Sequence, residues 1–384
     1  MNVPKLRFKE YNDELVYNKF KNICTFFSGG TPSSSNKEYY NGDIPFIRSG
    51  EIYSDKTELY INKNALDNSS AKMVENGDLL LALYGATSGN VSISKINGAI
   101  NQAILCIRPN NNYSKTYIKY LLDGKKDEIL RKYLQGGQGN LSAEIIKSLN
   151  YAFPKKSEQE KIGRMLSLLD KKIELQTKKI EALKLFKKGL FSSQIKKISD
   201  NKIRIKDILT EVNDKTSTNN EYEIISSTSN GIFLQKEYFN KQAASENNIG
   251  YKILRKNQLV LSPQNLWLGN INVNYKYDIG IVSPSYKIFT INTKVINMDF
   301  LNFWIKTPRA LYDYMISSEQ GASIVRRNLN MELFSEIVIN TPSLEIQNII
   351  GKNLENFDNK ILLETNKLEK LIKLKKGLMQ NMFV

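Results

Sequence analysis

Several short, turn-rich stretches of this 384-residue chain gather side chains able to donate and accept hydrogen bonds. In the first half they are Thr31, Ser33, Ser34 and Asn36, then Arg48 and Ser49, then Tyr84, Thr87 and Asn90, and finally Gln138 and Asn140. In the second half they are Ser226, Ser227 and Thr228, then Gln264, Asn265 and Trp267, then Arg326 and Arg327. Arg, Asn, Gln, Ser and Thr read base edges, whereas phosphates accept from any donor, including the backbone N–H groups of Gly-rich turns. The chemistry on offer is recognition of a polyanion. The same residue types also cap and turn a backbone with no ligand present, and Trp267 reads as a half-buried side chain. Arg326-Arg327, directly before Asn328-Leu329, is the best single phosphate-contact candidate, the alternative being a solvated pair. The run YGATSGN (84–90) resembles a phosphate-cradling turn, but it lacks a lysine and a following helix.

What is missing narrows the chemistry further. The chain holds no histidine, and its two cysteines, Cys24 and Cys106, lie far apart beside apolar residues. Histidine-based acid, base or nucleophile chemistry is excluded, and a zinc or iron site would need an all-carboxylate shell that the sequence does not offer. Neither a G-x-x-x-x-G-K-[ST] loop nor a G-x-G-x-x-G loop occurs, so no nucleotide cofactor is expected. There is no Glu-x-Lys triplet of a metal-dependent nuclease and no Asn/Asp-Pro-Pro-aromatic tetrapeptide of an amino-methyltransferase. Catalysis by this chain alone is not expected, and neither is a bound metal. The balance of 55 Lys and Arg against 39 Asp and Glu gives a net charge of +16, which favours a polyanionic partner. About seven of those excess charges sit between Lys155 and Asp200, where a solvated helix face would equally account for them. With no signal peptide, no membrane-length apolar run and reduced cysteines, a cytoplasmic location is expected.

The elements that must position these residues are organised by a duplication. The stretch from Pro154 to Ile195 returns from Pro342 to Phe383 at a constant offset of 188, with 17 of 42 aligned positions identical. In each copy the apolar residues fall into heptads. Leu166, Leu169, Ile173, Ile180, Leu183 and Leu190 form one seam, and Leu354, Phe357, Ile361, Leu368, Leu371 and Leu378 form the other. Polar residues interrupt both copies at the same levels: Gln176 and Glu364, Lys187 and Lys375. A 3.5-residue repeat puts one apolar stripe on a helix that has to be buried, and matched polar interruptions fix register. Two long helices that pair with each other as an antiparallel coiled coil are therefore predicted, a rod of about 60 Å at ~1.5 Å per residue. The competing possibility is that each helix packs separately on its own domain.

Between the helices the chain reads as two globular units. Ile44 to Ile47, Leu79 to Leu83, Asn90 to Ile93 and Ala103 to Ile107 are apolar runs between turns, predicted as strands of a twisted, partly open sheet, with helices over Thr116 to Leu122 and Glu128 to Leu134. The second unit echoes the first at an offset near 180: AKMVENGDLLLAL (71–83) against GYKILRKNQLVLSP (250–263), and SGNVSI (88–93) against LGNINV (268–273). The fold class is α+β. The expected domains are 1–153 and 200–341, separated and followed by helical spacers at 154–199 and 342–384, with a hinge at Lys196 to Asn201.

At this level of detail the chain resembles the DNA-specificity subunits of type I restriction–modification systems. The resemblance rests on FFSGGTPSSSNKEYYNGDIPFIRSGEI (26–52), GDLLLALYGATSGNVSI (77–93), NGAINQAILCIRP (97–109), GGQGNLSAEIIKSLNYAFP (136–154) and SEQEKIGRMLSLLDKKIELQTKKIEALKLFKKGL (157–190). In the second half NLNMELFSEIVINTPSLEIQNIIGKNLENFDNKI (328–361) carries it, although no GGTPS appears there. The resemblance implies two target-recognition domains, each reading half of a split site in double-stranded DNA, held apart by the helix pair. It also implies two adenine methyltransferase subunits docked on the helices, with S-adenosylmethionine bound by them, and restriction subunits using ATP and Mg. None of that catalysis would belong to this chain. The alternative is a protein scaffold working through the coiled coil without DNA.

Overall fold

The computed structural model describes residues 3–134, 140–198, 201–238, 247–320 and 327–383. Gln138 and Arg326, two of the candidate contacts, lie outside them. The fold is α+β, and its packing divides into two units: Met1–Lys178 with Asn366–Val384, and Lys179–Thr365. The division differs from a cut at the helix ends because Lys156–Ile198 and Leu344–Met382 are each one long helix, and each contributes residues to both units.

In unit 1 a four-stranded antiparallel sheet joins Cys24–Ser28, Ile104–Pro109, Leu79–Ala82 and Val91–Ile93 in that order. Leu79–Ala82 is buried on both faces, which explains its unbroken apolar run. Leu79 and Leu81 face one core with Phe20, Ile118 and Leu166, while Leu80 and Ala82 face another with Ile47 and Ile100. A second sheet orders Leu59–Ile61, Ile44–Ile47, Gly98–Ile100 and Lys72–Val74, its central pair being parallel. The two helices expected around residue 123 are one, Lys115–Leu134. Gly124 does not break it, and it lies in ordinary packing distance of Met379 and Phe383 at the end of the second long helix. A two-stranded clasp, Val16–Lys19 against Asn150–Phe153, leads directly into the first long helix.

Unit 2 repeats the plan. Leu209–Val212, Lys287–Ile291, Leu259–Leu261 and Ile271–Val273 form its antiparallel sheet in the same order. The clasp is Asn201–Arg204 against Val338–Thr341. The other sheet is reduced to two pairs, Ile225–Thr228 with Gly231–Leu234 and Lys252–Arg255 with Ile279–Val282, touching through a parallel bridge at Ile224 and Ile281. The first long helix continues to Ile198, so Lys196 to Ile198, read from the sequence as hinge, are helical.

Both long helices start in the same way. Gln159 and Gln347, one repeat apart and almost wholly buried, donate from Nε2 to the carbonyls of Pro154 and Pro342 at 2.8 and 3.0 Å. Their Oε1 atoms accept from the backbone N–H of Ser114 and of Asn297, each at 2.9 Å. Each glutamine thus ties the start of a long helix to the residue preceding a globular helix, and leaves no buried amide unpaired. One turn on, Gly163 and Gly351 let the long helix approach Thr116 and Asn297 closely.

Inside each unit the long helices run antiparallel. In unit 1, Ile162 and Leu166 share a core with Met382 and Phe383, and Asp170 meets Lys375 at 2.7 Å. In unit 2, Phe186 packs on Phe357 with ring centroids 5.6 Å apart, and Lys187 meets Asp358 at 2.6 Å. Every seam position is buried or half-buried: Leu166, Leu169, Ile173, Leu368, Leu371 and Leu378 in unit 1, and Ile180, Leu183, Leu190, Leu354, Phe357 and Ile361 in unit 2. The polar interruptions have partners. Lys375 and Lys187 take the two aspartates, themselves one repeat apart, and Glu364, nearly buried, takes Lys179 at 3.0 Å.

Candidate nucleic-acid interface

Strand ends assemble the candidate residues of unit 1. Ile44–Ile47 and Gly98–Ile100 run parallel with Ile47 opposite Ile100, so Arg48 and Ser49 leave the sheet beside Asn101 and Gln102. The N–H of Leu83 donates to the Ala103 carbonyl at 2.8 Å, which brings Tyr84 and Thr87 to the same end. Leu141 donates its N–H to the Leu83 carbonyl at 3.0 Å, so exposed Asn140 joins them. The loop carrying Thr31 is fixed from below, because Gly29 and Gly30 press against the Ile100 carbonyl and Ser70 so closely that neither position has room for a Cβ.

The side chains differ in how free they are. Thr31 Oγ1 donates to Gln102 Oε1 at 2.6 Å, both residues exposed. Ser33 Oγ bonds Ser35 Oγ at 2.7 Å, exposed Ser34 lies between them, and Asn36 caps a 3-10 turn by accepting from the Glu38 N–H. Arg48 is engaged by carboxylates, with Nε on Glu51 at 3.1 Å and Nη2 on Glu58 at 2.5 Å. Burial acts to raise the Glu51 carboxyl, but Arg48 and two backbone N–H groups outweigh it and hold it at about 2. Thr87 bonds the Tyr84 carbonyl, and Asn90 Oδ1 accepts from Lys126 at 2.6 Å, while Tyr84 itself is 37% exposed. Gly85 and Gly89 hold left-handed conformations on either side of that turn.

In unit 2 the corresponding end is built from Ser/Thr/Asn chemistry. Ser227 is buried, its Oγ bonded to Asn270 at 2.8 Å and accepting from Asn272 at 2.7 Å, and Tyr286 donates to its carbonyl. Ser226 and Thr228 on the same strand are half-exposed, and Thr228 Oγ1 bonds the Gly231 carbonyl at 3.2 Å. Gln264 is exposed and accepts the Arg327 N–H at its carbonyl, and Asn265 opens the short turn that carries Trp267. The Arg327 guanidinium lies 5.9 Å from the Trp267 ring centre and donates to Ser318 Oγ and its carbonyl at 3.1 and 2.8 Å. Gln264, Asn265, Trp267 and Arg327 therefore form one cluster.

Sequence reasoning missed Gln102, which stands next to Asn101 in an apolar-flanked run and touches Thr31 only through folding, 71 residues apart. The motif INQAI (100–104) was visible; its neighbour was not. Lys306 was missed too. It donates to the carbonyls of Gly269 and Ser229 at 2.7 and 3.3 Å in a cleft of about 960 Å³, where burial lowers its ammonium to about 8. Burial alone pushes the thiols of Cys24 up to about 12, and it is the largest cause for Cys106, also at about 12. Both behave as core residues rather than nucleophiles. Among the described residues no three His, Cys, Asp or Glu are placed to hold a metal ion, and no helix is long and apolar enough to cross a membrane.

Comparison with known proteins agrees with this geometry. A family model described as "Type I restriction modification DNA specificity domain" matches twice, over residues 12–185 and 198–373. The Type I restriction enzyme MjaIX specificity subunit of Methanocaldococcus jannaschii is 32% identical over 182 residues, a match spanning 44% of this chain and 42% of that relative. A crystal structure of a type I restriction-modification system S subunit from M. genitalium is similar over 100% of this chain and 99% of its own, with TM-score 0.61 and 15% identity. A structure from work on complex assembly and conformational transition of the type I R-M system covers 97% and 98%, with TM-score 0.57 and 9% identity. These two likenesses concern the fold.

Proposed function

Because the chain belongs to the family of type I restriction modification DNA specificity domains, we propose that it is the sequence-recognising subunit of a restriction–modification assembly. Residues 1–153 and 200–341 act as two recognition domains, each reading one half of a bipartite site in double-stranded DNA. The helical segments 154–199 and 342–384 set the unread gap and dock two adenine methyltransferase subunits. S-adenosylmethionine belongs to those partners, ATP and Mg to restriction subunits that join for cleavage. This chain catalyses nothing itself, and it works in the cytoplasm, where its DNA is.

One observation carries this reading. The two units share the strand order of one four-stranded sheet, yet the corresponding end displays Thr31, Gln102, Arg48 and Tyr84 in one and Thr228, Gln264, Trp267 and Arg327 in the other. A common scaffold with unlike polar rims suits two readers of unlike half-sites. The +16 net charge supplies the sequence-independent attraction.

The test is to reconstitute the chain with its methyltransferase partners and map methylated adenine over a genome. A split motif of two unlike halves at fixed spacing is expected, with binding that weakens steeply as salt rises. Methylation of random duplexes without site preference would sink the proposal. Inserting one helical turn into both long helices should lengthen the gap by about one or two base pairs and leave both halves unchanged.

A further inference from the structure

Of the polar side chains at the sheet end of unit 1, few are both fixed and unspent. Arg48 is engaged by Glu51 and Glu58, Asn36 caps its own turn, and Asn90 is bonded to Lys126. Asn101 turns its Oδ1 inward to the Ala103 N–H at 3.1 Å. Gln102, next to it, points outward. Its backbone is held on one side by that Asn101 turn and by the Leu83–Ala103 hydrogen bond, and its side chain by Thr31, whose own loop is pinned through Gly29 and Gly30.

We propose that Gln102, oriented by Thr31, is a base-reading side chain of unit 1 and that it reads adenine; this rests on the DNA-recognition role given above. A carboxamide oxygen has two lone pairs and its nitrogen two N–H groups. Thr31 occupies one lone pair and restrains the amide, and the second lone pair and both N–H donors remain to be used. Adenine presents the complementary pair in the major groove, an N6–H donor beside the N7 acceptor, and glutamine meets both at once. A pre-oriented amide loses little rotamer freedom on contact, so its discrimination is not spent on ordering. Thr31 is here a positioning residue, acting through Gln102.

The experiment uses the complex with its methyltransferase partners, assayed on a pool of duplexes in which each position of the site is varied in turn. Gln102→Leu should relax one position of one half-site from adenine to several bases, lowering discrimination there by about tenfold or more, with the other half-site untouched. Thr31→Val, which keeps the size but removes the donor, should relax the same position to a smaller degree. Gln102→Glu removes the N–H donors and should lose adenine preference at that position while the thermal melt stays near wild type. A uniform loss of affinity across all sequences would mean a phosphate contact and overturn the assignment, as would an unchanged motif. Should the wild-type complex show no motif at all, the broader function fails, which is a separate result.

Discussion

The two units differ most where their polar rims lie and least where the long helices begin. Gln159 and Gln347 make the same two hydrogen bonds, Leu166 and Leu354 fill the same place in their cores, and the Asp170–Lys375 pair returns as Asp358–Lys187. At the sheet ends nothing of the kind survives: unit 1 has a Thr31–Gln102 pair and a carboxylate-bound Arg48, and unit 2 has Arg327 beside Trp267 and a buried Ser227–Asn270–Asn272 network. A duplication keeps what holds a helix at its root and register, because an unpaired buried amide or a misplaced charge costs stability in either copy. It releases what faces a ligand, because exposed hydrogen-bonding groups are satisfied by water whichever residue supplies them.

The largest test of that equivalence removes core volume. Leu166→Ala and Leu354→Ala should each cost about 3 kcal/mol, and the two losses should agree within about 1 kcal/mol, since both side chains are almost wholly buried. Chemical denaturation, with hydrogen exchange resolved by unit, reads both values. A cost confined to one copy would show that only one helix is rooted in its unit. Replacing Gln159 or Gln347 with Leu strands a backbone N–H and a proline carbonyl, for about 2 kcal/mol in either unit. Faster exchange should appear first at Ser114 or at Asn297.

Much of the conserved half was legible in the sequence. A constant offset of 188 with matched heptads fixes which faces are buried, and the pairing of Lys375 with Asp170 and of Lys187 with Asp358 explains why two lysines sit in an apolar seam. The sequence reads as two helices, Thr116 to Leu122 and Glu128 to Leu134, where the chain forms one, Lys115–Leu134, and only the tertiary contact of Gly124 with Met379 and Phe383 shows what the residues between them pack against. The rim was less legible. Local spacing gathers Thr31 with Ser33 and Asn36, but the parallel pairing of Ile47 with Ile100 is what brings Arg48 beside Gln102. Nothing near Arg48 in the sequence says which of Glu51 and Glu58 will hold it, and it is held by both.

The ion pairs at the helix crossings sharpen the comparison because they are alike in spacing and unlike in setting. Asp170 accepts from Tyr120 at 2.7 Å and from Lys119 at 3.3 Å as well as from Lys375, and is about two-thirds covered. Burial acts to raise its carboxyl, but Lys375, Tyr120 and Lys119 outweigh that and hold it below the usual range. Asp358 is mostly exposed and faces Lys187. Asp170→Asn should therefore cost about 2 kcal/mol, and Asp358→Asn less than about 1 kcal/mol. The Asp170 contribution is present above the ordinary carboxylate value near 3.9 and fades as pH falls through its lower folded value. A double-mutant cycle of Asp170 with Lys375 should retain its coupling at high salt, and one of Asp358 with Lys187 should lose it.

The last contrast concerns Lys306, which faces Gly269 and Ser229 in unit 2, whereas in unit 1 Lys126 lies against Gly89, the glycine that aligns with Gly269, and bonds Asn90. Burial lowers this ammonium to about 8 in the folded chain, against about 10.4 when unfolded. Below pH 8 the folded state carries a desolvated charge at full cost. Between about pH 8 and pH 10 the unfolded chain binds more protons at this site than the folded one, so stability due to Lys306 rises with pH. Measured against Lys306→Met, which keeps the aliphatic stem and never titrates, the wild-type melting temperature should gain ground across that interval and show no relative change from pH 6 to pH 7. A relative loss on alkalinisation would mean that the ammonium is stabilised by its carbonyl acceptors more than it is penalised by burial, and that this corner of unit 2 is built around a charge rather than in spite of one.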